Sequence, residues 1–125
     1  HPERGHRLFW LEGISDEYLE QIYAVSTCLI AASLGEGFGL PLIEAGQHGL
    51  PLLARDLAVF REVAGAHARY FSGSEPQDVA DAVVAWLAAR ARGERLGPDG
   101  LAWLSWRESS ARLLRALDLR PPAGN

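Results

Sequence analysis

Two glutamates, Glu36 and Glu44, stand within and just beyond a glycine-rich stretch, Gly35-Glu36-Gly37-Phe38-Gly39-Leu40-Pro41. The apolar run before it, 28–32 (CLIAA), reads as a buried strand, and 41–48 reads as a helix stopped by Gly49. A strand-to-helix turn of this kind lies at the carboxyl edge of an open α/β sheet, where ligands bind. Glycines there let the backbone take positive φ and approach a ligand closely. Free N–H groups at a helix start, reinforced by the helix dipole, favour an anionic group such as a diphosphate. Pro41 donates no N–H, so the amides of Phe38, Gly39, Leu40 and Leu42 are the candidate donors. Glu36, inside the turn, can accept hydrogen bonds from hydroxyls lying over it, and Glu44, in the first part of the helix, suits a vicinal diol such as a ribose. Two carboxylates beside a diphosphate make electrostatic sense when the ligand also carries hydroxyls on both sides of its phosphates. A nucleotide diphosphate sugar is such a ligand.

Plainer readings stand beside this one. A glycine-rich turn alone is often only a turn, and Glu44 alone could be a helix-start acid favoured by the dipole. A dinucleotide fingerprint is suggested by Gly35-x-Gly37 with Asp56 about twenty residues on, after a strand. Against it, Leu40 stands where the third glycine belongs, and Glu36 would repel a pyrophosphate. His48 reads as a solvated residue at a helix end, and His1, His6 and His67 lack metal-ligand spacing, so no metal site and no cofactor is expected. Cys28 reads as a small buried hydrophobe, and Trp86, Trp103 and Trp106 as core packing. Arg61 and Glu62 fit either the ligand edge of the sheet or an ordinary surface pair.

The elements that must position the turn follow from periodicity and breakers. Strands are expected at 7–11 (RLFWL), 28–32, 51–54 and 68–71, and helices at 16–25, 41–48, 57–63, 76–91 and 105–117. Ser15 caps the first helix, and Pro76 opens the long one, with Asp78 and Asp81 near its start and arginines near its end. Strands alternating with helices predict a Rossmann-like parallel sheet with helices on both faces. About four strands is a small number for a doubly wound domain. The domain is expected over 1–119, with 120–125 (RPPAGN) as a tail.

Composition narrows the class. The chain has 125 residues, 48% hydrophobic and 22% charged, which suits one small folded domain. A formal net charge of −4 argues against a nucleic-acid groove, and the C-terminal arginines read as a solvated helix face. One cysteine excludes an internal disulfide framework and fits the cytoplasm. No apolar run approaches the roughly 20 residues of a membrane span. The chain contains no methionine and opens at His1, so it reads as a piece of a longer protein.

The segment E-G-F-G-L-P-x-x-E, followed by A-x-x-x-G-x-P, resembles the E-x7-E signature of retaining glycosyltransferases of the GT-B fold, especially family 4, the glycosyl transferases group 1. Other segments agree in order. Phe9-Trp10-Leu11-Glu12-Gly13-Ile14-Ser15 is similar to the family's F-x-G-x-V-S turn, and Asp16-Glu17-Tyr18-Leu19 with Tyr23-Ala24 to its next helix. Phe60-Arg61-Glu62-Val63-Ala64-Gly65 is similar to P-E-V-x-G, and Ser105-Trp106 with Ser109-Ser110 to the closing helix. The chain departs from the family at Ala32-Ser33, where Pro-Ser is frequent, and at Gly46-Gln47-His48, where Met-Ala is common.

The resemblance implies a partial C-terminal, donor-binding domain of a GT-B fold. Glu36 would hold the catalytic place as a contact to donor sugar hydroxyls, and no side-chain nucleophile is expected. The amides of Gly37, Phe38, Gly39 and Leu40 would line sugar and diphosphate, and Glu44 would bind the ribose. The parent would transfer a hexose with retention, attacking from the face the leaving phosphate occupies, in bacterial surface polysaccharide synthesis. Its partners would be the sugar nucleotide and an N-terminal acceptor domain, without nucleic acid and with at most peripheral contact to the inner membrane. The isolated chain would be nearly inactive. In a 3-2-1-4-5-6 order the central two strands would be missing, so the strand near Phe9 must pair with the Cys28 strand or with another chain, and an open edge invites self-association. The alternatives are a non-catalytic α/β interaction module, a sugar-nucleotide epimerase and a glycan phosphorylase.

Overall fold

The computed structural model describes residues 1–117. The expected tail 120–125 and the domain boundary at 119 lie outside the described residues. The scaffold is a parallel sheet of three strands, β1 (Leu29–Ala31), β2 (Leu52–Arg55) and β3 (Arg69–Phe71), in that spatial order. Ala31 lies opposite Ala54, and Ala54 opposite Tyr70. β2 is central, and all its residues are buried. Leu52 and Ala54 face one core with Leu42, Ala45, Phe60 and Ala64, while Leu53 faces the other with Phe71 and Trp86. Burial on both faces is why this strand reads as continuously apolar rather than alternating.

Among the described residues there are five α-helices, α1 (Asp16–Val25), α2 (Leu40–Gln47), α3 (Ala58–Ala64), α4 (Pro76–Ala91) and α5 (Trp106–Ala116), of which α1 to α4 contribute to the two cores. Ser15 accepts the Tyr18 amide at 3.3 Å and caps α1, whose Asp16 and Glu17 suit the positive end of its dipole. α2 and α3 join consecutive parallel strands and therefore share one face, together with Leu19 and Tyr23 of α1. α4 follows β3 and covers the opposite face through Val79, Val83 and Trp86. Helices on both faces make the fold a small Rossmann-like α/β unit.

Three expectations need correction. Residues 7–11 form no strand: Leu8 makes an isolated bridge to Arg4, and Phe9 and Trp10 are exposed. A strand needs a neighbour to take its N–H and C=O groups, and among the described residues none pairs with 9–11. Among the described residues the sheet therefore has three strands rather than about four. Trp86 is core, but Trp103, in the segment before α5, and Trp106, on a helix that buries no residue, are exposed. Arg90 is exposed, as expected of a solvated helix face, and its guanidinium also lies over the Trp86 ring at 5.7 Å.

Candidate functional site

β1 ends at Ala31 and α2 begins at Leu40, so the glycine-rich segment is the turn at the carboxyl end of the sheet, as its sequence implies. Residues 32–38 are exposed. Of the three turn glycines, Gly39 takes left-handed backbone, with φ 89° and ψ 34°, while Gly35 and Gly37 do not use positive φ. Gly39 is also closely packed: a Cβ there would lie 3.1 Å from Phe60 Cδ1. Two forces thus fix glycine at this helix start, backbone conformation and the buried ring behind it.

The amides divide into spent and unspent. Leu42 donates to the Gly39 carbonyl at 3.0 Å, and Gly37 donates to Glu36 Oε1 at 3.0 Å. Among the described residues, the amides of Phe38, Gly39 and Leu40 donate to no protein acceptor. Leu42 is committed to the helix, and Gly37 bonds the neighbouring Glu36 carboxylate. What remains is a short run of N–H groups at the positive end of α2, suited to an anion.

Glu36 is exposed, and Glu44 is half-buried on α2. Among the described residues neither forms an ion pair. Glu44 Oε2 instead accepts the Tyr23 hydroxyl at 3.0 Å. Burial first, and then the bond to Glu44, push the Tyr23 phenol up to about 12. The Tyr23 ring stacks on His48 with centroids 5.5 Å apart, and His48 Nε2 lies 2.7 Å from Glu20 Oε2. His48 is exposed, as its place at a helix end suggests, and its ring also packs against α1.

Arg55 underpins the turn from below. It is 7% exposed at the last position of β2, with its guanidinium 5.0 Å from the centre of the Phe71 ring. Its Nε donates to the Ser33 carbonyl at 3.0 Å, and Nη2 to the Ala32 carbonyl at 3.1 Å. Sequence reasoning missed both Arg55 and the partnership of Tyr23. Tyr23 carried one signal, a helical spacing that turns it inward; Arg55 looked like the polar residue after a strand.

The dinucleotide reading loses its acid. Asp56 is held by Arg61, at 2.5 and 2.8 Å, and that bond keeps its carboxyl below the usual range. Arg61 also covers the Tyr70 ring at 4.3 Å, so it belongs to a surface pair rather than the turn. Among the described residues no group of three His, Cys, Asp or Glu side chains comes together as a metal site. A groove of about 250 Å³ lies elsewhere, along β1 and α4, lined by Cys28, Ile30, Leu53, Val83, Trp86 and Leu87 among others. Ser26 and Thr27 add hydroxyls at its rim, and the other walls are mainly apolar, without the charged groups or helix-start amides of the glycine-rich turn.

With this geometry in view, the family model for glycosyl transferases group 1 matches residues 3–103. The chain belongs to that family. It is similar to a serotype-specific mannosyltransferase WbdA of Escherichia coli, 50% identical over 123 residues, which cover 98% of this chain and 15% of that protein. A D-inositol 3-phosphate glycosyltransferase of Nocardia farcinica is 33% identical over 117 residues, covering 90% of this chain and 26% of that protein. The O-antigen chain mannosyltransferase RfbU of Salmonella typhimurium is 30% identical over 100 residues, 80% of this chain and 26% of its own length. The chain thus spans only a minor part of each of these relatives. Among the described residues no helix is long and apolar enough to cross a membrane.

Proposed function

We propose that the glycine-rich turn is the donor half-site of a retaining hexosyltransferase of family 4, acting in bacterial surface polysaccharide synthesis on a nucleotide diphosphate sugar. The supporting observation is that two carboxylates without cation partners among the described residues, Glu36 and Glu44, bracket the unspent amides of Phe38, Gly39 and Leu40. In this reading the amides and the α2 dipole stabilise the charge that develops on the departing diphosphate, without requiring a metal. Glu36 turns from the Gly37 amide to the hydroxyls of the transferred sugar, and Glu44 takes the ribose diol. The relatives named as mannosyltransferases favour mannose as the sugar. The chain covers 15% of the WbdA relative, so in a protein of that length the acceptor side falls to other sequence, and these 125 residues alone are expected to bind donor weakly and turn it over little.

Calorimetric titration with UDP, GDP, UDP-glucose and GDP-mannose tests the assignment. Glu44→Ala is expected to weaken both nucleotide and sugar nucleotide by about ten-fold, the loss of a charged hydrogen bond. Glu36→Ala is expected to weaken the sugar nucleotide alone. Equal binding by the parent and both variants would favour a non-catalytic interaction module.

A second proposal follows from the sheet. Among the described residues the outer edge of β1 has no strand neighbour, and Ile30 beside it is 45% exposed. An open edge templates pairing, so the isolated chain self-associates through β1. A sedimentation mass that stays monomeric at all concentrations would refute it.

A further inference from the structure

Glu44 is a flexible side chain asked to hold a defined geometry, and the structure contains a device for that purpose. The Tyr23 hydroxyl on α1 donates to Glu44 Oε2 on α2 at 3.0 Å. Among the described residues Glu44 Oε1 accepts no hydrogen bond from the protein, so the carboxylate is anchored at one oxygen and open at the other. Tyr23 is itself fixed: it is 9% exposed, its ring stacks on His48 at an interplanar angle of 23°, and His48 is paired with Glu20. The chain of contacts Glu20–His48–Tyr23–Glu44 therefore ties the carboxylate to the packing of two helices.

The donor type matters. An arginine or lysine would neutralise Glu44 and compete with an incoming diol for both oxygens. A phenol takes one lone-pair site of a carboxylate that offers about four, and leaves the negative charge in place. Burial keeps the Tyr23 proton on its oxygen up to about 12, so the phenol remains a donor at working pH. Fixing the rotamer before the ligand arrives lowers the ordering cost of binding.

We infer that Tyr23 is a positioning residue for donor recognition: its hydroxyl presets the Glu44 carboxylate to accept the two ribose hydroxyls of the nucleotide. The inference rests on the reading of Glu44 as the ribose ligand. The test measures, in the intact protein, the affinities of UDP and GDP and of their 2′,3′-dideoxy counterparts, for the parent and for Tyr23→Phe. The quantity compared is the ratio of dideoxy to ribo dissociation constants within each protein, from which any change in folded fraction cancels. The parent is expected to prefer the ribose form by about ten-fold. Tyr23→Phe, which keeps the ring and its stack, is expected to reduce that preference by about five-fold while binding the dideoxy forms as the parent does. An undiminished preference in Tyr23→Phe would overturn the positioning role while leaving the Glu44 assignment intact. A parent without a ribose preference, or without nucleotide binding, would overturn the Glu44 reading and the inference with it.

Discussion

Arg55 and Ser33 are joined across the top of the sheet: the guanidinium Nε of Arg55 donates to the Ser33 carbonyl at 3.0 Å. The same side chain bonds the Ala32 carbonyl, so the last residue of β2 grips the first residues of the glycine-rich turn. Arg55 is almost wholly buried, so its guanidinium relies on those carbonyls for hydrogen bonds. Arg55→Met retains the apolar stem and removes every donor. It is expected to destabilise the fold by about 2 kcal/mol and to speed amide exchange across the turn. Thermal melts and hydrogen exchange check this, and an unchanged exchange pattern at residues 32–38 would show that the grip is not what orders the turn.

Gly39 meets two constraints at once, left-handed backbone and the Phe60 ring. Phe60 is 1% exposed and cannot swing into solvent to admit a methyl group. Gly39→Ala is therefore expected to cost about 1–3 kcal/mol in denaturant unfolding. Gly37→Ala, where a Cβ meets nothing within 4 Å, is expected to stay close to the parent. Equal losses at both positions would contradict this division of labour within the turn.

The contrast between those glycines marks where the sequence was legible. The strand, turn and helix around Glu36 could be read because each is signalled locally, by an apolar run, by glycines, and by Pro41 near the helix start. α4 was legible for the same reason, and its expected span, 76–91, is the observed one. Residues 7–11 were not, since RLFWL has the composition of a strand but a strand exists only through its neighbour. Which turn glycine carries positive φ was equally hidden, because the choice depends on Phe60 from another helix. Tyr23 could be read as an inward residue of α1, but its bond to a carboxylate 21 positions away is a product of how α1 docks on α2. Trp106 shows the converse: a large apolar side chain at a helix start stays 82% exposed because α5 offers it no packed face.

Cys28 is half-buried beside the apolar groove, and burial pushes its thiol up to about 11 from an ordinary 9.0. The thiolate is the reactive form, so alkylation by iodoacetamide at about pH 8 is expected to run on the order of 100-fold slower than for a free thiol of ordinary acidity. Unfolding in guanidinium should restore the ordinary rate. Rapid labelling of the folded protein would show that the groove opens to solvent far more than its packing implies.

Tyr23 and Cys28 are expected to weaken the fold at alkaline pH. Tyr23 is raised to about 12 from 10.0, and Cys28 to about 11 from 9.0, each chiefly by burial. Both groups are neutral when protonated, and the folded state holds their protons more tightly than the unfolded chain. Their contribution is therefore fully present below the unfolded values and is lost as pH rises through the folded ones. Cys28 begins the loss above about pH 9, and Tyr23 adds to it between about pH 10 and 12. Melting temperature is expected to be insensitive to these groups near neutrality and to fall across that alkaline window. Tyr23→Phe removes the upper part of the dependence and Cys28→Ala the lower part, so the variants should lose stability less steeply than the parent as pH rises. If both variants track the parent's alkaline decline, deprotonation of Tyr23 and Cys28 is not its cause.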